Sequence, residues 1–167
     1  GAFTYADQLV FSSDSRYFMT RALAYLGFGT FDAQGLAIQN GGNNNYFASF
    51  DSLNVVGTRF YAVSPNAGGF RIFAGTVPSD FLLSAETPLV LTDASEATAQ
   101  VYGRSIATSK GIYVLYTSGS PSALTVQFYA VVGNNLQRRG QAATLTTIDP
   151  NTSRMAISPN SGFLFIK

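Results

Sequence analysis

Nine carboxylates, two arginines in matching places and a run of three asparagines are the residues of this chain that could do chemistry. The carboxylates (Asp7, Asp14, Asp32, Asp51, Asp80, Glu86, Asp93, Glu96 and Asp149) fall mostly in predicted turns, and no two are neighbours in sequence. A general acid and its partner would therefore have to be brought together by the fold, roughly 5 to 10 Å apart for glycosidase-like work. The chain contains no His and no Cys. Imidazole, the commonest general base, is thereby removed, and so are Ser-His-Asp and Cys-His arrangements, zinc-thiolate sites and disulfides. Asp14-Ser-Arg does not continue as a calcium loop, because the alternating oxygen ligands and the closing Glu are missing. Gly27-Phe-Gly29 lacks the third glycine and flanking helix of a dinucleotide site, and Gly41-Gly42-Asn43-Asn44-Asn45 has neither the Lys nor the helix of a phosphate cradle. The expectation is no catalytic residue, no metal site and no cofactor.

Two groups remain as candidate ligand-binding residues. Arg104 and Arg154 each stand three residues before the start of a recurring phrase, 50 positions apart, with Gln8 and Ser52 in the corresponding places elsewhere. Guanidinium forks gathered at one end of neighbouring strands could hold a carboxylate or phosphate, in competition with ordinary salt bridges. Asn43, Asn44, Asn45 and Tyr46 set amide groups beside an aromatic ring, equipment suited to a sugar, on what reads as a polar connection.

The elements that must position these residues come from a repeat. Phe11-Ser-Ser-Asp-Ser-Arg-Tyr-Phe-Met19, Val55-Val-Gly-Thr-Arg-Phe-Tyr-Ala-Val63, Ala107-Thr-Ser-Lys-Gly-Ile-Tyr-Val-Leu115 and Ile157-Ser-Pro-Asn-Ser-Gly-Phe-Leu-Phe165 share one plan: an apolar residue, a polar turn, then a β-rich run with an aromatic six places on. The copies begin 44, 52 and 50 residues apart, a period typical of stacked supersecondary units. The aromatics Tyr17, Tyr61, Tyr113 and Phe163 are expected at equivalent strand positions.

A second hairpin follows the first in each complete unit. Ala123 to Val132 and Leu136 to Thr147 flank Gly133-Asn134-Asn135, and Tyr25 to Asp32 and Leu36 to Asn40 flank Ala33-Gln34-Gly35. Gly69 to Gly75 and Phe81 to Thr92 form the corresponding pair in the second unit. Ser15 to Leu26 is the one plausible helix, but the repeat places Arg16 to Thr20 in a strand. The reading is a single all-β domain over residues 1–167, with units at about 8–46, 47–98, 99–150 and a partial one at 151–167. Val114, Val126, Phe128, Leu164 and Ile166 are the expected core.

Ile157-Ser-Pro-Asn-Ser-Gly-Phe-Leu-Phe-Ile166 resembles the inner-strand turn of YVTN and lactonase-type β-propellers, and Leu124 to Gly140 is similar to their outer hairpin. The resemblance implies propeller-like four-stranded repeats. Some three and a half are present where propellers close with roughly four to eight blades, so a partial ring would need completion by another chain or segment. A homo-oligomer, with a second copy supplying Phe3-Thr-Tyr5 to the half blade, or the remainder of a longer chain would do this. A β-sandwich or a trimeric fibre or capsid-type domain could be built from the same strands.

Apolar residues make up 46% of the chain and charged residues 11%, against roughly a quarter in an average soluble domain. Much of the surface must then be uncharged and polar, a composition common in extracellular and virion proteins. The net charge of +1 gives no electrostatic footprint for nucleic acid. No apolar run approaches the roughly 20 residues of a spanning helix, so membrane insertion is not expected. These observations favour a noncatalytic binding or structural module presenting polar loops to a protein or glycan partner. A lactonase-like hydrolase and a self-assembling capsid or fibre subunit are the alternatives.

Overall fold

The computed structural model describes residues 8–12, 16–22, 25–31, 34–35, 37–39, 44–45, 52–66, 69–76, 89–91, 100–118, 123–133, 135–149, 152–158, 160 and 162–167. It is all-β, with no helix among the described residues, and consists of four antiparallel sheets, none closed into a barrel or ring. The first sheet holds β1 (Gln8–Phe11), β2 (Tyr17–Ala22), β3 (Tyr25–Phe31) and β4 (Ala37–Gln39), with β5 (Asn44–Asn45) also paired to β3. The second holds β6 (Ser52–Val56), β7 (Arg59–Asn66), β8 (Gly69–Thr76) and β9 (Leu89–Leu91). The third holds β10 (Gln100–Thr108), β11 (Gly111–Ser118), β12 (Ala123–Val132) and β13 (Asn135–Leu145), and the fourth is the hairpin β14 (Met155–Ile157) and β15 (Leu164–Ile166). Along each principal path the strands lie in chain order.

The first strands hold the sheets together: β1 lies beside β6, β6 beside β10, and β10 beside β14. Alternation along the strands gives each sheet two apolar faces, and three cores fill the spaces between sheets. Met19 of the first sheet meets Leu53, Phe60, Ala62 and Phe73 of the second. Tyr61, Val63, Phe70 and Ile72 of the second meet Ile112, Val114, Tyr116 and Tyr129 of the third. Leu115, Leu124 and Val126 of the third meet Met155, Leu164 and Ile166 of the fourth, with Tyr113 packed alongside. Aromatic pairs reinforce the middle core, Phe70 lying 5.3 Å from Tyr116 and 5.7 Å from Tyr129 in tilted and edge-on geometry.

The register corrects the expected equivalence of the four aromatics. Phe11 pairs with Phe18 and Ile157 with Leu164, whereas Val55 pairs with Phe60 and Ala107 with Ile112. The second and third hairpins thus close with the two-residue loops Gly57-Thr58 and Ser109-Lys110, while the first and fourth carry two residues more. The longer turns are closed by serines. Tyr17 N–H donates to Ser12 Oγ at 3.0 Å, and Phe163 N–H donates to Ser158 Oγ at 2.9 Å. Ser158 Oγ in turn donates to Asn160 Oδ1 at 2.7 Å, which also accepts from Gly162 N–H at 3.1 Å. Tyr17 and Phe163 therefore end a turn, and Tyr61 and Tyr113 sit two register steps further along, on the same face of their sheets.

Two further expectations change. Val114 and Val126 are buried, but Phe128, Leu164 and Ile166 are only half-buried. The last two lie on a sheet of just two strands, and Phe128, midway along β12, packs its ring at a tilt against half-buried Tyr113 with centroids 4.6 Å apart. Phe163, placed in a strand by its sequence, precedes β15 and is exposed.

Candidate functional site

The chemistry-bearing side chains near the first strands are used between sheets. Gln8 pairs with Arg21, Ser52 with Val63, and Arg104 with Leu115, while Arg154 N–H donates to Lys167 O at 2.8 Å and Lys167 N–H returns to Arg154 O at 3.0 Å. Each lies three residues before the reference residue of its hairpin (Phe11, Val55, Ala107, Ile157), so the four share one register.

Three of them reach forward to the next sheet. Gln8 Nε2 donates to Leu53 O at 2.9 Å, and its Oε1 accepts from Leu53 N–H at 3.1 Å. Ser52 Oγ and Ser105 Oγ lie 2.6 Å apart, and Asn54 Nδ2 donates to Ser105 Oγ at 2.7 Å. Arg104 Nη1 donates to fully buried Ser153 Oγ at 2.6 Å. Ser153 is presented by a turn in which Asp149 O accepts Ser153 N–H at 3.0 Å and Thr152 N–H at 3.3 Å. Burial lowers the Arg104 pKa below its ordinary value and Arg154 adds to the shift, while Asp149 opposes it. Arg104 and Arg154 are therefore close enough to feel each other, but the Arg104 head spans the junction between the third and fourth sheets. Exposed Arg154 turns Nη1 onto the carbonyls of Ser153, at 2.9 Å, and Thr152, at 3.3 Å.

The asparagine run is placed in part. Asn44 and Asn45 form β5, opposite Leu26 and Tyr25, and so belong to a strand where a connection was expected. Asn43 and Tyr46 lie outside the described residues, as do Phe3 to Tyr5 and every carboxylate except Asp149. Among the described residues no group of three His, Cys, Asp or Glu side chains could hold a metal ion.

A surface that sequence reasoning missed lies on β13. This eleven-residue strand pairs on one side with β12 and has no strand on the other among the described residues. Gln137, Arg139, Gln141 and Thr144 are exposed along it. The register to β12 breaks between Val126, opposite Ala143, and Phe128, opposite Arg139. Gly140 to Ala142 thus bulge against the single residue Gln127, with Gly140 at φ 71°, a conformation that favours glycine. Buried Gln127 fills the bulge: its Nε2 donates to Arg139 O at 2.8 Å and Phe128 O at 2.9 Å, and its Oε1 accepts from Arg138 Nε at 2.9 Å. Arg139 Nη2 donates to Gln137 Oε1 at 3.0 Å, which aligns two polar heads along the strand. The sequence signal was the Gln137-Arg138-Arg139-Gly140-Gln141 run inside a strand, which is polar where a buried strand would be apolar.

No protein-family model and no curated protein matches this chain.

Proposed function

We propose that the chain is a noncatalytic binding module: consecutive blades of an open propeller-type array whose outer strand β13 offers polar side chains to a protein or glycan partner, outside the cell or on a virion. The observation that carries this reading is the β13 ridge, where Gln137, Arg139, Gln141 and Thr144 stand exposed on a strand pinned by a buried glutamine. Amide and guanidinium groups held on a rigid strand give directional hydrogen bonds at little cost in side-chain ordering. The polar side chains of the first strands support the same assignment, because Gln8, Ser52 and Arg104 are engaged in joining sheets. The extracellular or virion setting is supported by composition, with 11% charged residues.

A glycan array probed with the pure chain, repeated with Gln137→Ala and Arg139→Ala, tests the binding surface. A glycan signal that drops about tenfold in either variant, equivalent to about 1.4 kcal/mol, supports it. Glycan binding untouched by both substitutions moves the site elsewhere. Turnover of a lactone by the pure chain, lost on replacing one carboxylate, replaces the binding reading with a hydrolase.

A further inference from the structure

Arg71 on β8 carries a polar group that the fold leaves unsatisfied. Its Nε is buried and has no hydrogen-bond partner among the described residues, although the residue as a whole is half-buried. A covered N–H without an acceptor costs free energy, more so on a charged group, and an ion or ligand that completes it is one of the few ways to recover that cost. Opposite Arg71 on β7 stands Ser64, which is fully buried. Asp149, the one carboxylate among the described residues, lies near Arg104 at the junction of the third and fourth sheets, so no described carboxylate stands beside Arg71.

The register shows what Arg71 faces. It stands two places before Phe73, and alternation puts both on the side of the second sheet that packs against Met19 of the first. The sheets overlap out of step: β10, the first strand of its sheet, lies against β7 and β8 of the sheet before it, and β6 lies against β2. By the same offset β8 is carried over the outer strands of the first sheet. Of these, β4 pairs with Gly29 to Phe31 and β5 with Tyr25 and Leu26, at opposite ends of β3. Gln8, Arg21, Leu26 and Asn44 form one row across the first sheet. Ser52, Val63, Ile72 and Leu89 form the equivalent row across the second, and Arg71 is one residue beyond it, toward the end where β5 lies. Asn44 and Arg71 thus hold register positions at the same end of one gap between sheets. We propose that this end of the gap between the first and second sheets binds an acidic sugar, whose carboxylate is taken by the Arg71 fork and whose hydroxyls are read from β5 at Asn44. A guanidinium offers parallel N–H donors matched to a planar carboxylate, and a small turn of the half-buried head sets Nε–H and an Nη–H side by side for it. An amide residue both donates and accepts, which suits a hydroxyl rather than a second charge. The site is separate from the β13 ridge and independent of what that ridge binds.

The test is the proton–nitrogen correlation spectrum of the pure chain, in which the Arg71 Nε–H is assigned by its loss in Arg71→Lys. It is followed during titration with sodium glucuronate from about 0.1 to 20 mM, a range that brackets a weak single-site affinity. Glucose and sodium acetate are titrated in parallel. A saturable shift with glucuronate is expected, with glucose and acetate each at least about tenfold weaker. Arg71→Lys, which keeps the charge but not the fork, and Asn44→Ala should each weaken glucuronate at least about fivefold, read from the backbone amides of Ser64 and Ile72, whereas Arg139→Ala should leave it unchanged. Should the lysine unfold the sheet, as judged by circular dichroism, Arg71→Gln takes its place with the same expected loss. The absence of a saturable shift overturns the proposal. Acetate bound as tightly as glucuronate, or Asn44→Ala without effect, overturns the sugar and leaves a bare oxyanion. Glucuronate binding that is lost in Arg139→Ala and kept in Arg71→Lys belongs to β13 and overturns this site.

Discussion

Replacing Tyr61 by Phe should make the protein more stable. Tyr61 is fully buried in the core between the second and third sheets, and its hydroxyl has no hydrogen-bond partner among the described residues. An unpaired buried hydroxyl costs about 1 to 3 kcal/mol in lost hydration, whereas Phe keeps the ring and all its apolar contacts. Allowing for the small void left by the oxygen, the variant should gain about 1 kcal/mol, or roughly 2 to 4 °C in midpoint for a chain of this size. The pH dependence provides an internal control. Burial raises the Tyr61 pKa above its ordinary value of 10.0, and nearby Arg59 opposes that shift. With the folded value above the unfolded one, the contribution is complete below about pH 10 and is lost as pH rises through the folded pKa, at no more than about 1.4 kcal/mol per pH unit. The stability advantage of Tyr61→Phe should therefore widen above about pH 10. Urea unfolding followed by circular dichroism at neutral and alkaline pH measures both effects. A variant less stable than wild type at neutral pH, or an advantage that narrows in alkali, would show that the hydroxyl has a partner and refute the reasoning.

Three other substitutions test separate parts of the fold. Gly111 has φ +154°, and a Cβ there would overlap the Tyr129 carbonyl oxygen and come within 2.9 Å of Ala130 Cα, so Gly111→Ala should cost about 2 to 4 kcal/mol in chemical denaturation. Ser105→Ala removes the hydroxyl shared by Ser52 and Asn54 and should cost about 1 to 3 kcal/mol, while Ser109→Ala in the exposed turn next to it should stay within about 0.5 kcal/mol. Gln127→Leu leaves the Arg139 carbonyl and the Arg138 guanidinium without their buried partner. It should destabilise by about 2 to 4 kcal/mol and speed amide exchange at Gln141 and Ala142 before that of β11; unchanged exchange across the bulge would show that the backbone holds it without the side chain.

The strands were legible because the chain states them locally. Val, Ile, Tyr and Phe runs bounded by Gly, Asn and Ser leave little room for another conformation, and Ala123 to Val132 came out residue for residue. The aromatic offset was hidden by an accident of counting. An aromatic stands six places after the reference residue in all four phrases, yet the turn before it is closed by a serine in Ser12-to-Tyr17 and Ser158-to-Phe163 and by a two-residue loop elsewhere. Only the pairing of backbone groups distinguishes these cases. The shared register of Gln8, Ser52, Arg104 and Arg154 was readable from spacing, but where their heads go was not. A guanidinium three residues before a strand phrase looks the same in sequence whether it waits for an anion or crosses to Ser153. The β13 ridge was missed because a polar run inside a strand reads as an ordinary solvent face until the Gln127 contacts show how firmly it is held.

Because neighbours in each principal path are neighbours in the chain, almost no strand among the described residues waits for a distant partner. Loop closure then carries a small entropy for every pairing, since that cost grows with the length of chain enclosed. A chain leaving the ribosome can zip each sheet before the next has been synthesised, and each finished sheet offers a template face to its successor. Rapid, sequential acquisition of structure is the kinetic signature such wiring imposes, in contrast to β proteins whose first and last strands must meet before anything is stable. Under mechanical load the same wiring runs in reverse, and the sheets peel one at a time from whichever end is pulled.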